Sequence, residues 1–322
     1  MFSKGLSSSR GCSLAAAALA AAACVAFAAA HAQATVVVYE PYNYGLSQGT
    51  TMTGVTTNGV GLTGAYTDKN IVNNDASVNA VTYNTAGMSF GDLQTQGGSV
   101  TSTPAGGAPI FSAQLSSSAL SALGAASTVY GSFLFSTNLN GSGYVDALLF
   151  GTSTSSDGNS VVNISPIAYG YNYGRIQVGG LQAAGTGTQL AVNTPYLELF
   201  QISINITNGG INAKSWALSA SQFANFQGNL TATNLDSAAT GTAFNQITEE
   251  TFLSGTDPNI STELSGITNM SLYSYGSTGT YDEVRISNAS LAETAPVPEP
   301  ATLGLVALGG LGLLLLKRRK AV

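Results

Sequence analysis

Tyr196-Leu197-Glu198-Leu199-Phe200-Gln201-Ile202-Ser203-Ile204-Asn205-Ile206 is the stretch whose reading decides the fold. Side chains alternate across an extended strand, so Leu197, Leu199, Gln201, Ser203 and Asn205 share one face. Tyr196, Glu198, Phe200, Ile202, Ile204 and Ile206 share the other. In the second half only this latter face is apolar, as expected of a half-buried strand. Asn208-Gly209-Gly210 follows and reads as a hairpin turn into a second strand, Lys214–Ser219. Working outward, short β-prone runs recur at Val36–Tyr39, Val78–Tyr83, Ile110–Leu115, Val129–Phe135, Tyr144–Phe150, Val161–Tyr173, Met270–Tyr275 and Tyr281–Ser287. Gly, Asn, Ser and Asp punctuate them. No window sustains a helical period, and only Ser116–Gly124 reads as a short helix. This pattern specifies an all-β chain, a two-sheet antiparallel sandwich.

The hairpin carries a resemblance. Thr194–Ile204 followed by Lys214-Ser215-Trp216-Ala217-Leu218 resembles the central hairpin of concanavalin A-like (laminin-G-like) domains, in which a long hydrophobic strand precedes one bearing Trp. Tyr281-Asp282-Glu283-Val284-Arg285-Ile286-Ser287 resembles their last strand. The resemblance implies a jelly roll over residues 33–292 with its first and last strands as neighbours. Trp216 is expected in the core.

The two ends read as addresses. Lys4 and Arg10 precede an apolar run, Leu14–Ala30, and both Ala30-His31-Ala32 and Ala32-Gln33-Ala34 fit a small-x-small cleavage site. Residues 1–32 are therefore expected to be a signal peptide removed by signal peptidase. At the other end Val297-Pro298-Glu299-Pro300 precedes an uncharged run, Ala301–Leu316, and then Lys317-Arg318-Arg319-Lys320. Those 16 apolar residues reach about 24 Å as a helix, short of a hydrocarbon core of ~30 Å, so the span is marginal. The basic tail would stay on the cytoplasmic side. This order resembles the sorting signal of PEP-CTERM proteins. That resemblance implies processing by an exosortase, a membrane cysteine transpeptidase. It also implies a transient stay in the inner membrane, and a destination at the surface or in the extracellular matrix of a Gram-negative cell. Tyr39-Glu40-Pro41-Tyr42-Asn43-Tyr44 also resembles an opening that recurs in such proteins. An uncut anchor is the other reading of the tail. Residues 293–296 are left as a linker, with Ala292–Pro296 expected to be exposed.

Removing both ends restricts the chemistry. Cys12, Cys24 and His31 all fall in the leader, so residues 33–296 hold no thiol and no imidazole. Ser-His-Asp and Cys-His catalysis, thiolate or imidazole metal sites, and disulfides are excluded there. Stability must come from a core that about 260 residues are enough to build. Only four cations, Lys69, Arg175, Lys214 and Arg285, face 15 of the chain's 16 carboxylates, a net charge of about −11. Nucleic acid and anionic lipid are poor partners for such a surface; cations and neutral glycans are better ones.

Glycosidases of this fold need a close carboxylate pair. Glu198 stands alone in its strand, while Asp282-Glu283 and Glu249-Glu250 are adjacent, and adjacent strand residues point to opposite faces. Glu283 is better placed to pair with Arg285, two residues on. Calcium, the one cofactor in view, has oxygen-rich loops to bind at Asp68, Asp75 and Asp157, but none has a recognised spacing, and Asn, Asp and Gly also form turns. Tyr169, Tyr171 and Tyr173 form an aromatic row suited to stacking on sugar rings or to packing within the sheet, and Tyr273 and Tyr275 repeat the spacing. The expectation is a non-catalytic exported protein that binds exopolysaccharide. The alternative is a secreted carbohydrate-active enzyme, a glycoside hydrolase or lyase on the same fold.

Overall fold

The structure, a computed structural model, describes residues 36–70, 81–91, 93–95, 97–103, 109–138, 145–151, 160–167, 175–178, 181–184, 190–205, 210–226, 229–239, 246–252 and 266–295. The strands are β1 (Val36–Glu40), β2 (Leu62–Asn70), β3 (Val81–Asn84), β4 (Ser89–Phe90), β5 (Leu93–Gln94), β6 (Ser99–Ser102), β7 (Pro109–Leu115), β8 (Thr128–Thr137) and β9 (Val145–Gly151). Then come β10 (Ser160–Ile167), β11 (Arg175–Val178), β12 (Leu181–Ala184), β13 (Tyr196–Asn205), β14 (Gly210–Leu218), β15 (Gln246–Phe252), β16 (Asn269–Tyr275) and β17 (Gly279–Ser287). Among the described residues the helices are α1 (Ser117–Gly124), α2 (Ala220–Ala224), α3 (Ala232–Ala239) and α4 (Leu291–Thr294).

Two antiparallel sheets face each other. One has eight strands in the order β15-β14-β13-β8-β17-β6-β3, with β1 also paired to β17. The other has seven, β12-β11-β10-β9-β16-β7-β2. The expected hairpin forms as β13 and β14, in register from Leu197↔Leu218 to Asn205↔Gly210. First and last strands pair, as the resemblance implied. Both faces of β13 are buried at its start, for different reasons. Tyr196, Phe200 and Ile202 enter the core between the sheets, where the ring of Phe150 on β9 lies 6.2 Å from that of Phe200. Leu197 and Leu199 enter a second apolar cluster outside the eight-stranded sheet, with Leu134, Trp216 and Leu218. Phe223 of α2, Leu235 of α3, Phe90 of β4, Leu291 of α4, Met88 and Leu230 complete that cluster. Trp216 is fully buried in it.

The edges are managed by one loop. Residues 49–52 pair along β3 through the Gly49 and Met52 amides, which donate to the Tyr83 and Val81 carbonyls at 2.8 and 3.0 Å. Residues 54–57 do the same along β2, where the Tyr66 amide donates to the Val55 carbonyl at 2.9 Å. One segment thus covers an edge of each sheet, blocking edge-to-edge association. On the far side β12 and β15 touch.

Several expectations are corrected. Between the leader and the sorting segment the sequence suggests one helix; α2, α3 and α4 are additional. They are short and supported by burial on the outer cluster rather than by propensity. Ser219 caps α2 reciprocally: its hydroxyl accepts from the Gln222 amide while the Gln222 side chain accepts from the Ser219 amide at 2.8 Å. Ser219→Ala is expected to cost about 1 kcal/mol, read as a shift in the denaturant midpoint. Strands β2, β4, β5, β6, β11, β12 and β15 are also additional to the sequence reading. The run expected over Val161–Tyr173 is described to Ile167, and β11 then returns antiparallel to it from Arg175. Of the stretch Ala292–Pro296, expected to be exposed, Ala292 is exposed, but Thr294 is fully buried in α4 and ties the chain to the sheet; Pro296 lies outside the described residues. Among the described residues no helix is long and apolar enough to cross a membrane. The expected signal peptide at 1–32 and the segment at 297–320 lie outside them.

Candidate functional site

The carboxylates dominate the chemistry of the described chain. On β17 the register advances by three residues from Asp282 to Arg285 while β8 advances by two, from Leu134 to Ser132. The extra residue is a bulge, with Glu283 in the left-handed region at φ 51°. Tyr281 and Val284 both reach the inter-sheet core. Asp282 lies opposite Leu134 of the outer cluster, and the carboxylate of Glu283 joins Arg285 on the outer side. The expectation that adjacent Asp282 and Glu283 face apart is therefore corrected: the bulge turns them to one side.

That side is closed rather than open. Asp282 is fully buried and accepts from the Met88 amide at 2.7 Å and the Glu283 amide at 2.8 Å. Burial, with a smaller push from Glu283, raises its pKa to about 8 against those two bonds. Glu283 binds Arg285 at 2.8 Å, the pairing the sequence suggests, and accepts from the Tyr39 hydroxyl at 3.2 Å. The Arg285 guanidinium lies 4.4 Å from the centroid of the Tyr39 ring. Neither carboxylate presents an open face to a sugar, so the group acts as a clasp between β1, β17 and the segment around Met88.

Glu198 points inward between Tyr196 and Phe200, and is 2% exposed. One oxygen, Oε2, has no hydrogen-bond partner. Burial raises its pKa to about 8, opposed only by a hydrogen bond with Ser215. Glu249 and Glu250 pair in register with Lys214 and Ala213 on β14. Lys214 itself binds Asp236 of α3 at 2.7 Å, and Asp236 also accepts from the Trp216 indole at 3.1 Å.

Sequence reasoning missed a third site, at Glu40. Its carboxylate is fully buried and accepts from the Tyr66 hydroxyl at 2.6 Å, the Tyr44 hydroxyl at 2.8 Å and the Tyr42 amide at 2.7 Å. Burial raises its pKa, and those three bonds lower it. Tyr42 is held at φ 50°. The opening Tyr39–Tyr44 stands out as a motif, but the partner Tyr66 lies 26 residues from Glu40 and gives no local signal.

Of the calcium candidates, Asp68 is 4% exposed on β2 and accepts from Thr53 Oγ1 at 3.3 Å. Asp75 and Asp157 lie outside the described residues, as do Tyr169, Tyr171 and Tyr173. Among the described residues no three His, Cys, Asp or Glu side chains gather around a point that could hold a metal ion. Tyr273 is buried, whereas Tyr275, two positions on along β16, is 36% exposed. Beyond it the β16–β17 connection meets the end of β8: the Thr278 amide donates to Asn138 Oδ1 at 2.8 Å, and the Asn138 amide to the Thr278 carbonyl at 3.1 Å. The Asn193 amide donates to the Thr137 carbonyl at 2.7 Å beside them. Tyr275, Asn138 and Asn193 are thus exposed on or beside this connection.

The PEP-CTERM protein-sorting motif matches residues 296–320. No curated protein matches the sequence. Among solved structures the chain is similar to a receptor binding domain, at 8% identity and TM-score 0.43 over 85% of this chain and 51% of that one. It is also similar to the Trypanosoma rangeli sialidase, at 10% identity and TM-score 0.36 over 81% and 32% of the two chains. A winged bean acidic lectin complexed with methyl-alpha-D-galactose matches at 8% identity and TM-score 0.33 over 65% and 87%. The chain spans about half the length of the first of these. Likenesses this weak carry no argument about activity.

Proposed function

We propose that this chain is an exported, exosortase-sorted protein of the cell surface or extracellular matrix of a Gram-negative bacterium, and that its domain is a non-catalytic, concanavalin A-like binder of exopolysaccharide. The observation that carries the sorting half is the PEP-CTERM motif over 296–320, which marks export and membrane-anchored sorting. In this reading residues 1–32 direct export, Ala301–Leu316 holds the precursor in the inner membrane, and Lys317–Lys320 keep the tail cytoplasmic. The motif Val297-Pro298-Glu299-Pro300 presents the chain to the exosortase. A chain ending at Ala295 should be exported yet never appear as a membrane-held precursor. Equal membrane association of the truncated and full chains would contradict the reading.

The binding half draws support from the surface. The carboxylates of Glu40, Glu198, Asp282 and Glu283 are buried and closed to a ligand, whereas the ring of Tyr275 is partly exposed and can meet one. Aromatic faces and amides suit neutral sugar rings. We assign Tyr275, together with the Tyr169, Tyr171 and Tyr173 row, to glycan contact. Tyr275→Ala should weaken retention of the mature protein on the polysaccharide of its own cells while leaving the melting temperature nearly unchanged, since the ring is partly exposed. Unchanged retention, or a large loss of stability, would count against the assignment.

A further inference from the structure

The last turn of the domain is gripped by the sheet. Leu291 is buried in the outer cluster and Thr294 is fully buried. The Thr294 carbonyl accepts from Ser132 Oγ on β8, and the Thr294 hydroxyl donates to the Leu291 carbonyl at 2.8 Å. Arg285 Nη1 reaches the Ala295 carbonyl at 3.4 Å, and Arg285 is itself fixed by Glu283 and stacked on Tyr39. Strands β1, β8 and β17 thus hold residues 291–295, directly or through Arg285. The sorting motif begins at the very next residue, 296.

Peptide-processing enzymes take their substrates extended, with backbone groups free to pair with the enzyme. Here the Thr294 and Ala295 carbonyls, just upstream of the motif, are taken by Ser132 and Arg285 of the sheet. The grip is also small: the buried side chains of Leu291 and Thr294, Ala295 packed against the outer cluster, and a few hydrogen bonds. Such a terminal unit opens at a free energy well below that of global unfolding.

We propose that the Leu291–Ala295 turn is a latch on processing: docked, it withholds the chain upstream of the sorting motif from the processing enzyme, and on release it supplies extended substrate. The inference rests on the reading that the motif is processed. Folding of the domain and maturation of its tail are then coupled, because the latch closes only when β8 and β17 are in place.

Pulse-chase of the full chain in cells that carry the processing enzyme tests this, with precursor and mature forms separated by size. A flexible Gly/Ser spacer of about ten residues between Ala295 and Pro296 leaves the latch docked but adds free chain. Leu291→Asn removes the apolar anchor of the latch. Both variants are expected to mature severalfold faster than the wild type. Hydrogen exchange at the Thr294 and Ala295 amides should be unchanged in the spacer variant and accelerated in Leu291→Asn. Wild-type and spacer chains maturing at the same rate would overturn the latch while leaving the sorting reading intact. So would Leu291→Asn losing protection without maturing faster. A wild-type chain that keeps its C-terminus would overturn both.

Discussion

Gly131→Ala is expected to give a protein that folds poorly or melts far below the wild type. Gly131 lies on β8 opposite Phe200 of β13 on one side and Ile286 of β17 on the other. A Cβ at this position would stand 1.9 Å from Phe200 Cζ and within 2.6 Å of two further ring carbons. The ring lies across the glycine because no side chain is there, and it cannot swing away: Phe200 is fully buried, with Phe150 against it. Gly131 is not among the residues with positive φ, so the cost is steric rather than conformational. Overpacking a filled core costs roughly 1–3 kcal/mol where neighbours can yield, and more where they cannot. Thermal unfolding should show a fall of several degrees or more. Phe200→Leu in the same chain should recover part of the loss, because it removes the atoms that clash. Strict additivity of the two changes would contradict this packing.

The second large effect is a stability that declines as pH rises. Glu198 has a folded pKa of about 8 against an ordinary 4.5, and Asp282 about 8 against 3.8, both because burial disfavours the charged form. Glu40 shifts in the same direction. Between the unfolded and folded values the native state binds more protons than the unfolded chain, so unfolding free energy falls with rising pH. The contribution is full below about pH 4 and is lost as pH climbs through about 8. A tenfold difference in proton affinity between folded and unfolded chain corresponds to about 1.4 kcal/mol, so Glu198 alone contributes a few kcal/mol over that window. Melting temperatures should be highest under mildly acidic conditions and drop steeply toward pH 9. Glu198→Gln keeps the shape and the contact to Ser215 but cannot ionise. Its melting temperature should match the wild type near pH 5, exceed it at pH 9, and vary less between. Parallel pH profiles for the two proteins would exclude Glu198 as a source of the slope.

The sequence made the strongly alternating strands legible. β13 carries a period-2 pattern, β17 is rich in β-branched and aromatic residues, and both form within a residue or two of expectation. β2 is hidden because Gly64 sits in it at φ 76° and the register breaks between Thr63 and Thr67, which dilutes the pattern with polar residues. Helices α2 and α3 owe their existence to Phe223 and Leu235 finding the outer cluster. Locally, the Ser219-x-x-Gln222 box announces α2, and Thr231, whose hydroxyl accepts from the Asn234 amide at 3.2 Å, caps α3. The site was less legible. The Glu283–Arg285 pair follows from spacing. The bulge that turns Asp282 to the same side does not, because a glutamate at φ 51° leaves no mark in a sequence. Glu40 and Tyr66 meet only through the fold.

The central claim concerns an address, and intact mass of the protein recovered from the cell surface tests it most directly. The account predicts a chain that has lost its leader and the residues from Ala301 to Val322, with a C-terminus at or near Pro298-Glu299-Pro300. Surface protein that still ends at Val322 would contradict it.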